Sequence, residues 1–206
     1  MDFTKLKAAE EQFLAAFPGG FDHPEMDKIG KKHKMPQMVD LCHQLFSKSA
    51  FRKVDETCEN MIKVINRSSM ISLFEKPKLK EMIKSLNPSD KAFVVNGLSN
   101  FIHGNQQNGF ESLVDFFKIH KLAKWSLLTI IPAYYHSQKE VFVKPTTAKN
   151  AVKHFDLTHL TYKPTPSWEF YTGYREFINQ AKAEVDPSLS PSNPAFSGFL
   201  MMSMSR

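Results

Sequence analysis

Cysteine is scarce in this chain: Cys42 and Cys58 are the only two among 206 residues. A fold that leaned on disulfides would carry more, and the spacing fits no zinc pattern. Both are read as buried, reduced thiols on helix faces, which suits a cytoplasmic location. Glycine is also rare, at 8 residues, and is expected at loops and turns rather than in a phosphate cradle. Nucleophile-elbow, P-loop and dinucleotide-binding patterns are all missing. The eight histidines are scattered, with no HExxH, HxH or CxxC, so the sequence offers no scaffold for a metal and implies no cofactor. Long apolar runs are missing too. The longest, Trp125 to Tyr135, is too short to span a bilayer and is interrupted by Pro132, so no membrane insertion is expected. The N-terminus, MDFTKLKAAEEQF, is charged and amphipathic and lacks the features of a secretory signal.

These absences leave a non-enzymatic protein, or a helical enzyme or ligand binder whose groups come from distant segments. What is present is apolar material at 42%, with 18 phenylalanines and 10 methionines, enough for a core of large, deformable side chains. The net charge of +6 favours polyanions and acidic proteins as partners.

The fold is expected to be mainly α, with a helical bundle-like N-terminal part over residues 1–120. Phe3, Leu6, Phe13, Leu14 and Phe17 recur at helical spacing before Pro18-Gly19-Gly20 stops them. Pro24 opens a short helix. Met38, Leu41, Cys42, Leu45 and Phe46 mark the next, and Val54, Cys58, Met61, Ile62 and Ile65 another. Pro77 and Pro88 each open a helix, the second carrying Val94, Leu98, Phe101 and Ile102. Phe110, Leu113, Val114 and Phe117 follow. Each stripe is one-sided and must pack on its neighbours.

Residues 121–186 read as a small α+β segment. Ser126 to Ile131 is apolar on every side, hence a buried helix or a buried strand. Glu140 to Lys144 alternates and predicts a strand, with Leu160-Thr161-Tyr162 as its partner in a short β ribbon. A helix is expected from about Thr147 to Phe155, and another from Thr165-Pro166 to about Val185. This order gives the segment a winged-helix-like outline. Residues 187–206 form a Ser/Pro-rich tail with an apolar end, expected to fold back on the core or to dock on a partner or a second copy.

Three functional readings follow. The first is a basic interaction module binding nucleic acid through residues 144–175. Lys144, Lys149, Lys153, Lys163 and Arg175 are interleaved with Tyr162, Trp168, Tyr171 and Tyr174, and Thr146 and Thr147 sit at a helix start suited to phosphate. The second is a protein–protein adaptor or homo-oligomer using Phe196, Phe199, Leu200 and Met201 of the tail. The third is the helical enzyme or ligand binder, which requires one cleft lined by polar groups from distant segments. A second basic stretch, Lys28 to Lys34, holds four lysines and His33 in seven residues.

Overall fold

The structure is a computed structural model and describes residues 3–204. Every regular element among the described residues is a helix. The α-helices are α1 Phe3–Ala16, α2 Pro24–His33, α3 Met35–Leu45, α4 Val54–Arg67, α5 Glu75–Ser85 and α6 Pro88–His103. They continue as α7 Gln106–Ile119, α8 Trp125–Tyr135, α9 Pro145–His154, α10 Trp168–Ala183 and α11 Asn193–Met204. Short 3-10 turns cover Gly20–Asp22, Ala50–Arg52 and Pro187–Leu189.

Local chemistry sets the boundaries. The Asn87 side chain accepts from Asp90 N–H at 2.9 Å to start α6, and the Asn105 side chain accepts from Asn108 N–H at 3.0 Å to start α7. Pro24 and Pro145 sit in the first turns of α2 and α9, where a missing N–H costs nothing. One continuous set of buried apolar side chains runs from Leu6 to Leu200. α8 lies at its centre, with every residue from Trp125 to Tyr134 buried, which decides the ambiguous apolar run for helix.

The β ribbon and the winged-helix outline are corrected by this architecture. Glu140 to Lys144 is extended but pairs with no strand, and Leu160 to Tyr162 is irregular. Alternation misleads here because Glu140, Val141, Phe142 and Val143 are all buried. Side chains do the work of a neighbouring strand. Val143 N–H donates to Thr129 Oγ1 at 3.0 Å, and Asn193 Nδ2 donates to the Glu140 carbonyl at 3.1 Å. Leu160 instead covers Gly173 on α10, where a Cβ would lie 2.4 Å from its Cδ2.

The glycines depart from expectation as well: Gly30, Gly97, Gly109, Gly173 and Gly198 all lie inside helices. Gly109 shows why. A Cβ there would stand 2.3 Å from Phe101 N and 2.5 Å from Gly97 O, so α6 and α7 touch backbone to backbone. Gly109→Ala must push the two helices apart, at an expected cost of about 2 kcal/mol, readable by urea unfolding. A change near zero would refute this close approach.

Three of the scattered histidines form a closed ring of helix caps. His43 of α3 donates through Nε2 to Tyr135 O at the end of α8, at 2.6 Å. His136, just past α8, donates to Ile102 O near the end of α6, at 3.0 Å. His103, closing α6, donates to Phe46 O just past α3, at 2.8 Å. Each imidazole satisfies a carbonyl that its target helix cannot.

The tail is folded on this body. α11 packs against α1, α9 and α10. Phe196, Phe199 and Leu200 are fully buried, and Phe199 meets Phe13 edge-on at 5.3 Å between ring centroids.

Candidate functional site

Two surface depressions bring together residues that the sequence singled out. The first is an apolar groove of about 250 Å³ between α2, the start of α9 and α11. α2 turns Met26, Ile29, Gly30 and His33 toward it, spaced at one helical face. From α11 come Ala195, Ser197, Gly198, Met201 and Met202, and from between these walls Met35, Met70 and Phe142. Ile29 and Met201 remain 46% and 37% exposed, which is high for side chains of their kind. No acidic residue lines the groove.

Its mouth is basic. Lys144, the residue before α9, lines it and reaches Met201 Sδ with its Nζ at 3.3 Å. His33 lies beside it, bonded through Nδ1 to Ser69 Oγ at 2.9 Å. Burial first, then the Lys32 and Lys144 ammonium groups, hold the His33 pKa below the ordinary histidine value. The two basic stretches of the sequence therefore meet here, His33 from one and Lys144 from the other. α9 adds its own N-terminus: no side chain caps it, and the buried Thr147 of its first turn faces the groove. Along the groove, Ser197 is 9% exposed and its buried Oγ has no hydrogen-bond partner among the described residues.

A Cβ built on Gly30 meets nothing within 4 Å. The groove is thus open directly above the α2 backbone.

The second depression is polar, about 480 Å³, and is lined by Gln106, His136, Lys139, Glu140, Arg175 and Asn179. Glu140 is its fixed point. Arg175 Nη1 donates to both carboxylate oxygens at 2.9 Å, Tyr171 donates at 2.6 Å and Gln106 Nε2 at 2.9 Å. Burial, then the Glu140 charge, keep the Tyr171 phenol far above the ordinary tyrosine range, so it acts as a neutral donor. The Arg175 guanidinium lies over the Trp168 and Tyr171 rings at 5.8 and 5.4 Å.

The residues nominated for nucleic acid are distributed differently from the expectation. Lys144 and Thr147 belong to the apolar groove. Thr146, Lys149 and Lys153 are exposed on α9, and Lys163 is exposed on the loop before α10, its carbonyl taken by Trp125 Nε1 at 2.8 Å. Arg175 lines the polar cleft, with its Nη1 bonded to Glu140 and Gln106. Tyr171 and Tyr174 are buried, and burial alone raises the Tyr174 pKa. Neither ring has a face free for stacking a base. Of the tail residues nominated for a partner, Met201 lines the groove, whereas Phe196, Phe199 and Leu200 are spent on the core.

Spacing alone could not find the groove, because its walls come from opposite ends of the chain. The one available signal was methionine: Met26, Met35, Met70, Met201 and Met202 all face it. Among the described residues no group of three or more potential metal ligands is gathered, and no helix is long and apolar enough to cross a membrane. No protein-family model, curated protein or solved structure matches this chain.

Proposed function

We propose that the chain is a non-enzymatic docking module. Its groove between α2 and α11 receives the apolar face of an acidic amphipathic helix from a partner protein. The observation that carries this reading is the meeting of His33, Lys144 and the α9 N-terminus at the mouth of a methionine-lined groove that no acidic residue lines.

Charge complementarity selects the occupant. An acidic side chain at one end of the partner helix meets Lys144 and the free N–H groups of α9. A second copy of this chain, at +6, brings like charge to the same rim. The groove is concave and open along one side. A bilayer cannot enter such a shape, and a helix can lay one face in it while its other face stays wet. Methionine walls adapt to different apolar side chains at little cost. α11 has 12 residues, which sets the matching partner segment at about three turns, or about 18 Å.

The test is fluorescence anisotropy with a labelled acidic amphipathic peptide of about 12 residues. Saturable, salt-sensitive binding is expected, and Gly30→Leu should abolish it by filling the groove. That variant should fold at least as well as the parent, since its new side chain enters open space on a helix where leucine outranks glycine by about 1 kcal/mol. Unchanged binding to Gly30→Leu would remove the groove as the site. Binding of anionic vesicles or of DNA in place of the peptide would overturn the partner class.

The pH dependence has a defined sign. An acidic partner favours the imidazolium of His33, whose pKa is depressed in the free protein. Affinity for the peptide is expected to rise as pH falls below the ordinary histidine value of about 6.5, and His33→Gln should flatten that rise.

A further inference from the structure

The polar cleft has no part in docking at the groove, and its chemistry points elsewhere. Six polar side chains reach it from α7, from the residue after α8, from the link to Glu140 and from α10. Most of them are held in place before any ligand arrives. Asn179 donates to Lys139 O at 3.0 Å and accepts from Asn193 Nδ2 at 2.9 Å. His136 is fixed by Ile102 O, and Gln106 by both Glu140 and Arg175. Such ordering is what a recognition site requires.

The cations in the cleft are only partly used. All three hydrogen bonds of Arg175 leave from Nη1, one to Gln106 and two to Glu140. Nη2 and Nε make none among the described residues, while the rings of Trp168 and Tyr171 lie under the guanidinium. The Lys139 ammonium has no hydrogen-bond or ion-pair partner among the described residues. Beside the cleft, Lys182 Nζ donates to Gln138 O at 2.9 Å and adds a further positive charge. Against these stands Glu140 alone, whose oxygens already accept from Arg175, Tyr171 and Gln106. It has little capacity left for a cation, so the net field favours an anion.

We infer that this cleft is a binding site for a small oxoanion, the carboxylate or phosphate group of a small polar molecule, held between the free edge of Arg175 and the Lys139 ammonium. The guanidinium supplies two parallel N–H donors, the geometry that planar oxoanions accept.

Thermal unfolding of the full chain in sodium phosphate tests this, with sodium acetate as the carboxylate arm and sodium chloride at matched ionic strength as the reference. A saturable rise in Tm with phosphate or acetate, absent with chloride, is expected. Whichever anion gives the rise identifies the group. Lys139→Ala should weaken the apparent affinity about tenfold, as loss of one charge-assisted contact does, and Lys149→Ala, on the exposed face of α9, should leave it unchanged. Arg175→Lys keeps the charge and removes the fork, and should weaken it similarly. Where that variant does not fold, Lys139→Ala decides. No saturable rise with either anion, or a rise that survives Lys139→Ala, overturns the proposal.

Discussion

Glu140→Ala is expected to lower the melting temperature by about 6–12 °C, corresponding to about 3 kcal/mol in a chain of this size. The deletion leaves the Arg175 guanidinium without its anion and the buried Tyr171 hydroxyl without its acceptor. Arg175 is 22% exposed at its side chain and can recruit water from the cleft, which places the loss at the low end for a broken buried pair. The damage also spreads through the backbone. Glu140 anchors the extended link to α9, and that link has no sheet to fall back on. Replacing both partners by apolar groups, as in Glu140→Leu with Arg175→Met, should recover much of the loss, because the desolvation penalty of the pair goes with it. Thermal unfolding of the single and double variants measures this. A single variant that melts within about a degree of the parent would show that the network does not hold the link.

Phe199→Ala should cost about 3–5 kcal/mol, or about 10 °C in Tm, the range for emptying a fully enclosed phenylalanine site. Phe199 is fully buried, and its ring contacts Phe13 of α1 and Phe196 of α11. The tail is thus a wall of the core on one side and a wall of the groove on the other. Met201→Ser, on the groove side, should leave Tm nearly unchanged and weaken peptide binding. Phe199→Ala with parental stability would mean that α11 is not part of the folded body.

The helices were legible wherever a one-sided apolar stripe ended in a capping residue or a proline. α1, α3, α6 and α7 are of this kind, because a stripe that must be buried and a terminus that must be satisfied both leave marks within a few residues of each other. The β ribbon was misread because period-two alternation reports side-chain direction only when one face is solvated. Around Glu140 to Val143 both faces are enclosed, and hydrogen bonds with the Thr129 and Asn193 side chains replace a strand. Leu160 looked like strand material and instead fills the notch above Gly173. The histidine ring was invisible, since His43, His103 and His136 come together only once α3, α6 and α8 are packed.

Of the candidate site, Lys144 and Thr147 stood out under one reading, Met201 under another, and the Lys28 to Lys34 stretch by itself. Nothing local says that residue 144 and residue 201 touch. That contact depends on α11 folding back across the chain, which is a property of the core rather than of either segment. The aromatic residues of α10 are ambiguous in sequence for the opposite reason. Tyr171 and Tyr174 at helical spacing beside lysines resemble a binding face, yet the same spacing buries them when the helix is packed on two sides.

The most direct test of the docking assignment is photo-cross-linking. An acidic amphipathic peptide carrying a photoreactive leucine at the centre of its apolar face is irradiated with the intact chain, and the adducts are mapped by mass spectrometry. Labelling of Met26, Ile29, Met201 or Met202 is the predicted result. Adducts confined to Lys149 and Lys153, or to the exposed Leu73 and Phe74, would contradict it.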